Sequence, residues 1–292
     1  MLSEHGPSLA EAARWIAAHR DKTMLVKLGG DLMSKTATLD RLIPQIVVLR
    51  QCGIRPVLVH GGGVQVDQAC REHGIEIRKV NGRRITTPDV MAVMRDVVGR
   101  LNRELVSRLG AHGIAAQGFP AAVLCTRRPP TQQPDGSVVD WGEVGDVVRF
   151  LEEESLADPD VVAVYPCLGR LEDGSIVNVN ADTVAAHVAT GLGAEKLVFL
   201  TNVSGVMHHP NDAGPISDMT IEDTRELLDS DIVTGGMRAK LEEALRALSG
   251  GVRTVHIVSG KDPYTLLREL FTAEGCGTQI RGARREGQSG NP

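Results

Sequence analysis

The chain has 292 residues, of which 42% are hydrophobic and 24% are charged, and its formal net charge at pH 7 is −5. These values are typical of a globular protein with one large α/β domain or two coupled lobes. A pI near 6.0 leaves no basic excess for nucleic acid or an anionic membrane surface. No apolar run is long enough to span a bilayer, so we expect a small polar ligand as the partner.

The cysteine pattern and the N-terminus point to a reducing compartment. The five cysteines are odd in number, widely spaced and never in a CxxC pair, which argues against a disulfide framework and against a zinc site. No signal-peptide pattern is present at the N-terminus, so we expect a cytoplasmic protein.

A first helix is predicted from Ser8 to Arg20, with Ser8 as its N-cap. This helix precedes the first core strand and does not connect two strands. Two interpretations stay open, since the helix can pack against a partner chain or cover its own sheet.

Two strand-like runs each end in glycines. Met24-Leu25-Val26 is followed by Lys27-Leu28-Gly29-Gly30, and Val57-Leu58-Val59 is followed by His60-Gly61-Gly62-Gly63. An amphipathic helix predicted from Leu39 to Cys52 joins the two runs into a right-handed β-α-β unit with parallel strands. Both turns would therefore present backbone N–H groups at neighbouring ends of one sheet, which is an arrangement that binds anions.

The remainder of the chain alternates between predicted helices and strands. Glu76 to Thr86 is predicted to be a hairpin that turns at Asn81-Gly82, and Gly113 to Val148 breaks into short strand-like pieces. Further helices are predicted at 64–73, 88–109, 182–190, 220–228, 237–248 and 263–271, and core strands at 161–166, 176–179, 196–201 and 254–258. This alternation predicts a mainly parallel sheet covered by helices on both faces, and residues 282–292 are predicted to be a disordered tail.

The common nucleotide-binding motifs GxxxxGK[ST] and GxGxxG are both missing, so the usual P-loop and dinucleotide-binding classes lose their main support. The chain instead contains short signatures in a fixed order: Lys27-Leu28-Gly29-Gly30, His60-Gly61-Gly62-Gly63, Asn81-Gly82-Arg83-Arg84-Ile85-Thr86, Asn178-Val179-Asn180-Ala181-Asp182, Thr201-Asn202-Val203-Ser204-Gly205-Val206 and Gly235-Gly236-Met237-Arg238-Ala239-Lys240-Leu241. In wording, order and spacing they resemble the amino acid kinase family, over roughly residues 20 to 281.

The resemblance implies an open three-layer αβα sandwich with two lobes. Residues 1–182 would form an N-terminal lobe that binds an acyl amino acid, and residues 183–281 a C-terminal lobe that binds ATP. The implied reaction transfers the γ-phosphate of ATP, with Mg²⁺, to the side-chain carboxylate of N-acetyl-L-glutamate in arginine biosynthesis. A related acylated or carrier-linked aminoadipate or glutamate of lysine biosynthesis is the alternative substrate, and a non-catalytic amino-acid-sensing module is the alternative outside catalysis.

This chemistry explains why such residue types are needed. A carboxylate nucleophile is already ionised, so the obstacle is to hold it in line with a triphosphate by means of cations and backbone N–H groups. The resemblance implies that Lys27 and Lys240 flank the transferring phosphoryl group and that Asp182 orients both ammonium groups. Substrate contacts are implied for Gly62, Gly63, Arg84 and Asn178. Phosphate or nucleotide contacts are implied for Gly29, Gly30, Gly61, Gly62, Thr201, Asn202, Gly205, Gly236 and Met237, and no metal ligand is expected from the protein.

Each of these residues also has a simpler structural explanation. Lys27 and Lys240 can simply be solvated side chains, and Asp182 can be an acidic residue that the start of a helix favours regardless of function. His60 is more readily a packing residue than a catalyst. The glycines of the turn at 60–63 have the simpler explanation that they let a helix pack tightly on the sheet. It is the joint occurrence of these residues that favours a functional site.

The sequence departs from the family pattern in several places. Asn202 stands where the family usually has aspartate, and the segment Gly118 to Ala122 lacks the expected polar residue near the acyl group, which leaves the acyl substituent open. The helix from Ser8 to Arg20 and the ending Glu274 to Thr278 resemble arginine-inhibited, hexameric members, although Tyr264 replaces a frequent histidine. Arginine is therefore a candidate feedback inhibitor, and we expect a homo-oligomer, either a dimer or a hexamer.

Overall fold

The computed structural model describes residues 8–151, 158–208, 214–230 and 232–282. The helices are α1 (Leu9–His19), α2 (Gly30–Met33), α3 (Thr36–Gln51), α4 (Gly63–Glu72), α5 (Pro88–Ala111), α6 (Ala181–Gly191), α7 (Ile221–Asp229), α8 (Gly235–Ser249) and α9 (Thr265–Phe271). The strands are β1 (Thr23–Leu28), β2 (Arg55–His60), β3 (Lys79–Val80), β4 (Arg83–Arg84), β5 (Ala116–Gly118), β6 (Val123–Arg127), β7 (Thr131–Gln132), β8 (Val138–Val139), β9 (Gly145–Phe150), β10 (Val162–Pro166), β11 (Leu168–Arg170), β12 (Ile176–Asn178), β13 (Lys196–Thr201), β14 (Asp218–Thr220), β15 (Thr254–Ser259) and β16 (Thr278–Arg281). Among these residues no helix is both long enough and apolar enough to cross a membrane.

The central sheet has eight strands in the order β14-β16-β15-β13-β1-β2-β10-β5. Its neighbours pair in parallel, except that β15 and β16 are antiparallel. The predicted mainly parallel sheet is confirmed, and β1 and β2 lie side by side near its middle. Because parallel strands end at the same edge, the turns that follow β1 and β2 are neighbours.

Helices cover both faces of this sheet, because the central strands are buried almost throughout and their successive residues join opposite apolar layers. On β1, Met24 and Val26 join one apolar layer with α3, α4 and α5, whereas Leu25 joins the other layer with α6, α7 and α8. Strand positions that alternate in this way but are apolar on both sides are typical of a sheet buried between two helical layers. The three-layer sandwich is confirmed, with a core that is almost entirely aliphatic.

A second, smaller sheet in the order β12-β11-β6-β9 packs beside the main one. The segment from 113 to 148, which the sequence predicts only as short strand-like pieces, supplies β5 to the main sheet, β6 and the start of β9 to the smaller sheet, and β7 and β8 to a separate two-stranded sheet. The hairpin β3–β4 turns at Asn81 and Gly82, whose φ angles of 50° and 75° are those of a two-residue hairpin turn. The predicted turn is confirmed, although its strands are shorter than predicted.

Some predicted boundaries are wrong by a few residues. Helix α5 does not close at Gly110 but continues to Ala111, and the chain turns at Gly113, whose φ of 74° suits glycine. Helix α9 begins at Thr265 and not at Pro263, because Tyr264 before it adopts a left-handed φ of 60°. Helix α8 begins two residues earlier than predicted, at Gly235.

Helix α1 follows its prediction and packs against its own chain. The Ser8 hydroxyl accepts a hydrogen bond from the Glu11 N–H, so Ser8 is the N-cap. Trp15 and Ile16 pack against the first apolar layer, and the Glu11 carboxylate accepts the Ala273 N–H just after α9. The part of the predicted tail from 283 to 292 lies outside the described residues. The division into lobes at residue 182 falls in the first turn of α6 and stays a prediction.

Candidate active site

The two glycine-rich turns meet at one edge of the sheet. Strands β1 and β2 pair with Leu28 opposite His60, so the turns start from the same level. A Cβ added to Gly30 would lie 3.2 Å from the Gly63 nitrogen, and the Gln65 amide donates a hydrogen bond of 3.0 Å to the Gly30 carbonyl. The predicted proximity of the turns is confirmed, whereas phosphate binding by their amides, with that of Gly29 and Gly61, stays a prediction.

Packing alone accounts for some of the glycines. A Cβ on Gly62 would come within 3.0 Å of the Val98 side chain on α5, so the tight-packing explanation holds there. A Cβ on Gly205 would lie 2.7 Å from Pro215 and 2.7 Å from the Thr278 hydroxyl. His60 is fully buried, and burial lowers its pKa to about 4, which suits the packing role.

A buried cluster of two lysines and one aspartate lies beside the turns. Lys27 comes from β1, Asp182 from the first turn of α6, and Lys240 from α8. The Lys27 Nζ lies 2.6 Å from Asp182 Oδ1, and the Lys240 Nζ donates to Asp182 Oδ2 at 2.7 Å. All three residues are less than a tenth exposed, so neither lysine is on a solvated surface. The three residues predicted to be catalytic are thus in direct contact.

The charges in this lysine–aspartate cluster depend on one another. Burial alone would raise the pKa of Asp182, but the ammonium groups of Lys27 and Lys240 outweigh it and lower the pKa to about 2. Burial and the neighbouring Lys27 charge lower the pKa of Lys240, and Asp182 opposes that shift. The start of α6 also favours a negative side chain, because helix N-termini carry a partial positive charge.

A cleft of about 640 Å³ opens beside this cluster, and Lys27 lines it, whereas Asp182 and Lys240 are not among its lining residues. Of the predicted site residues, those that line it are Lys27, Gly30, Gly61, Gly62, Gly63, Arg84 and Asn178. The Asn178 amide donates to the Thr86 hydroxyl at 2.9 Å, which fixes its orientation at the wall of the cleft. The residues predicted from the resemblance to bind the acyl amino acid therefore share one cavity with Lys27.

Arg84 is held firmly at the edge of this cleft. Its side chain is only 8% exposed, and its Nη2 donates to the Gly63 carbonyl at 2.8 Å and to the Asp67 carboxylate. Its Nε is buried and has no hydrogen-bond partner among the residues that the structure describes. A buried donor without a partner costs about 1–3 kcal/mol of free energy, so an acceptor that enters the cleft and bonds to this guanidinium removes that cost.

Of the residues predicted to bind phosphate or nucleotide, Gly30, Gly61 and Gly62 line the cleft, whereas the others lie elsewhere. Thr201, Asn202, Gly205, Gly236 and Met237 are not among the residues that line the cleft. Asn202 follows β13 and donates to the Asp31 carboxylate at 3.2 Å, directly after the Gly29-Gly30 turn. Gly236 lies in the first turn of α8, where an added Cβ would meet no atom of the described residues within 4 Å. The structure thus connects Asn202 to the first glycine turn, and the nucleotide roles of these five residues stay predictions.

Several residues of the cleft were not found from the sequence. Asp67 on α4 pairs with Arg84 and also with Lys79, whose Nζ is 2.6 Å from Asp67 Oδ2. Arg128 lines the cleft, forms a hydrogen-bonded ion pair with Asp146 at 2.5 Å and lies over the Trp141 ring. A lone acidic residue on a helix has no distinctive sequence pattern, and neither has a single arginine in a segment of short strand-like pieces.

This arrangement of a mainly parallel sheet, two glycine turns and a buried pair of lysines defines a three-layer α/β protein with a cationic site at the edge of its sheet. The family model described as the amino acid kinase family matches residues 22–259, and the chain belongs to that family. Its relatives include proteins named acetylglutamate kinase. That of Akkermansia muciniphila is 36% identical over 96% of each chain, and that of a Nostoc species is 39% identical over 94% of this chain and 93% of its own.

Solved structures agree with this family. N-acetylglutamate synthase from Neisseria gonorrhoeae, in complex with coenzyme A and N-acetylglutamate, superposes with a TM-score of 0.81 at 26% identity, over 97% of this chain and 67% of that one. Carbamate kinase from Giardia lamblia bound to AMP-PNP superposes with a TM-score of 0.64 at 17% identity, over 90% of this chain and 99% of that one. The second likeness concerns the fold alone.

Proposed function

We propose that this protein is a kinase that uses ATP to phosphorylate the side-chain carboxylate of N-acetyl-L-glutamate. The observation that carries this proposal is the contact of Lys27 and Lys240 with one buried aspartate, beside two touching glycine turns and a cleft that contains Arg84. Membership of the family and 36% to 40% identity to acetylglutamate kinases support the substrate and the place in arginine biosynthesis.

The acyl amino acid binds in the cleft through its two carboxylates. Arg84 receives the α-carboxylate, because its buried Nε has no partner and a guanidinium suits a planar anion. Asn178 at the cleft wall contacts the amide portion of the substrate. The amides of Gly62 and Gly63 hold the side-chain carboxylate at the start of α4, where the helix dipole favours an anion.

Lys27 and Lys240 then stabilise the charge that develops on the transferring phosphoryl group. Together with Asp182 they form a group of two ammonium charges and one carboxylate, which leaves one net positive charge in a site that water hardly reaches. The carboxylate attacks the γ-phosphorus, an O–P bond forms to the acyl oxygen, and the bond to the ADP oxygen breaks. No proton has to be removed from the nucleophile, so the work of the site is positioning and electrostatic stabilisation.

Although the resemblance implies no metal ligand from the protein, Mg²⁺ fits the nucleotide side of this arrangement. The Asp31 carboxylate and the Asn202 amide, joined at 3.2 Å, are oxygen-bearing groups of the kind that this hard cation accepts, and they follow the first glycine turn and β13. Mg²⁺ supplies neutralisation of the phosphate oxygens when bound. The proposed division of labour places the acyl amino acid on residues 1–182 and ATP on residues 183–281.

The test is to trap the acyl phosphate with hydroxylamine across a panel of acylated acidic amino acids. We expect the highest kcat/KM with N-acetyl-L-glutamate, and product formation that needs ATP. Preference for an acylated aminoadipate or a carrier-linked substrate would support the alternative in lysine biosynthesis. No hydroxamate with any member of the panel, while binding of N-acetylglutamate persists, would support the non-catalytic sensing module.

Arginine is proposed as a feedback inhibitor that binds where α1 meets α9. Both ring nitrogens of His19 on α1 are buried and lack a hydrogen-bond partner within the described part of the chain, which marks a polar site that a ligand can complete. Glu269 on α9 lies in the same region, where His256 and Lys196 connect it to the core. The synthase from Neisseria gonorrhoeae that was solved with coenzyme A and L-arginine superposes with a TM-score of 0.78 at 25% identity.

The arginine proposal is tested by titrating arginine into the assay to millimolar concentration. A fall in the rate of phosphorylation supports the proposal, and an unchanged rate refutes it. Sedimentation equilibrium tests the proposed homo-oligomer, a dimer or a hexamer, for which Leu9 on α1 is a candidate contact because it is 91% exposed.

A further inference from the structure

Helix α4 and the β3–β4 hairpin are joined by one carboxylate. Asp67 lies in the second turn of α4, and each of its oxygens faces a different strand of the hairpin. Lys79 on β3 donates to Oδ2 at 2.6 Å, and Arg84 on β4 donates to Oδ1. The Asp67 side chain is 16% exposed, so these pairs form in a setting where water screens them only partly. Partial burial alone would raise the pKa of Asp67, but Lys79 and Arg84 lower it below its ordinary value.

The opposite side of the hairpin has a different attachment. Val80 and Ile85 pack against the small apolar cluster of Val139, Trp141 and Val144, and the Thr86 N–H donates to the Trp141 carbonyl. The hairpin therefore keeps its place on that side without Asp67. What Asp67 adds is the direction of the Arg84 guanidinium, because that side chain is bonded to Asp67 and to the Gly63 carbonyl through the same Nη2.

We propose that Asp67 is a positioning residue for substrate binding, which holds Arg84 with its Nε free to receive the α-carboxylate of the acyl amino acid. This inference rests on the proposed function. One carboxylate between two cations leaves one net positive charge at this end of the cleft, so the site keeps its attraction for an anion while the arginine is fixed. Without Asp67, the guanidinium is free to adopt other rotamers, and the substrate must restrict it on binding.

The experiment compares Asp67→Ala and Asp67→Asn with the unmodified enzyme. Asp67→Ala is expected to raise the KM for N-acetylglutamate at least about tenfold, because a charge-assisted hydrogen bond that orients Arg84 is lost, while kcat and the KM for ATP change less than about threefold. Asp67→Asn is expected to have the smaller effect, because its amide oxygen still accepts one hydrogen bond from Arg84. Asp40→Asn is the matched control, since Asp40 pairs with Arg108 at 2.7 Å on α5 and does not line the cleft.

A second substrate separates positioning from a general structural effect. 4-Acetamidobutanoate is N-acetylglutamate without its α-carboxylate, so it has nothing for Arg84 to hold. Asp67→Ala is expected to lower kcat/KM for N-acetylglutamate at least tenfold and to leave kcat/KM for the analogue within about twofold. Equal losses on both compounds would overturn the inference, and so would an unchanged KM for N-acetylglutamate.

Failure of the proposed function gives a different result. In that case the unmodified protein produces no hydroxamate from N-acetylglutamate, and calorimetry detects no binding of it. If the unmodified protein binds and phosphorylates N-acetylglutamate but Asp67→Ala does so with the same KM, only the positioning role is lost. Circular dichroism at the assay temperature verifies that each variant is folded.

Discussion

Replacing Asp182 by asparagine tests the central assumption about the site. The substitution keeps the shape of the side chain and removes the charge that Lys27 and Lys240 share at 2.6 and 2.7 Å. Two ammonium groups then remain buried without a counter-charge. Breaking a buried ion pair by removal of one partner typically costs about 3–5 kcal/mol. For a chain of this size, each kcal/mol lowers Tm by roughly 2–4 °C, so a fall of about 6–20 °C is expected.

Turnover is expected to fall at least about a hundredfold, because misplaced ammonium groups no longer stabilise the transferring phosphoryl group. The hydroxylamine assay measures kcat, and differential scanning fluorimetry measures Tm. Asp182→Asn combined with Lys240→Met should recover part of the lost Tm, since one unpaired charge is removed, yet stay inactive. Asp40→Asn serves as the control for loss of an exposed pair and should change stability by less than about 1 kcal/mol.

The pH dependence has a definite sign. The folded-state pKa of Asp182 is about 2, below the ordinary value of 3.8, so its contribution to stability is present above about pH 4 and is lost as the pH falls towards 2. The gap corresponds to about 2 kcal/mol. The difference in Tm between the unmodified protein and Asp182→Asn should therefore shrink in that window. A variant that retains more than a tenth of kcat and the original Tm would refute the assigned role.

Three further predictions concern other parts of the molecule. Lys240→Met should lower kcat at least about a hundredfold and change the KM for N-acetylglutamate little, as steady-state kinetics can measure; a loss confined to KM would contradict the assignment. Asn202→Asp places a second carboxylate where the Asn202 amide now lies 3.2 Å from the Asp31 carboxylate, and it should lower the half-saturating Mg²⁺ concentration severalfold. An unchanged Mg²⁺ titration would show that these two residues do not bind the metal. Glu269→Gln should raise the arginine concentration for half-inhibition at least tenfold while the rate without arginine is kept; equal sensitivity would exclude that carboxylate.

Most of the site near the sheet could be predicted from the sequence, because its signals are local. A strand followed by glycines is visible in a few residues, and two such turns joined by one helix must lie side by side in a parallel sheet. Lys27 and Asp182 stand at the ends of predicted elements, so their approach follows from the topology. The hydrogen bond of 3.0 Å from the Gln65 amide to the Gly30 carbonyl, which joins the two turns, agrees with that reasoning.

The remaining part of the site depends on contacts between residues far apart in the chain. Asp67 and Arg84 are 17 positions apart, and nothing in their spacing indicates that they pair. An arginine in a hairpin is by default exposed. The Arg84 side chain is only 8% exposed, because it pairs with Asp67 and therefore lies against α4. A hairpin folded back on a helix is a tertiary arrangement, and neither periodicity nor turn chemistry encodes its direction.

The role of a glycine also depends on contacts between residues far apart in the chain, so the sequence alone does not define it. Gly62 belongs to a signature that suggests phosphate binding, yet its missing side chain makes room for Val98 on α5. Gly205 likewise makes room for Pro215 and the Thr278 hydroxyl. A glycine that allows a ligand to approach and a glycine that allows a helix to approach look identical in sequence, and only the packed structure separates them.

Two clusters of charged side chains in this region of the molecule share one arrangement, in which two cations surround one carboxylate. Lys27 and Lys240 enclose Asp182, and Lys79 and Arg84 enclose Asp67. An acidic residue in a site for anions by itself opposes binding, but two unpaired cations would repel each other and adopt scattered positions. The shared carboxylate holds both cations in place and still leaves one positive charge for the ligand. Since the cations are already fixed before substrate arrives, less reorganisation is needed during the reaction, which is the condition under which electrostatic stabilisation is most effective.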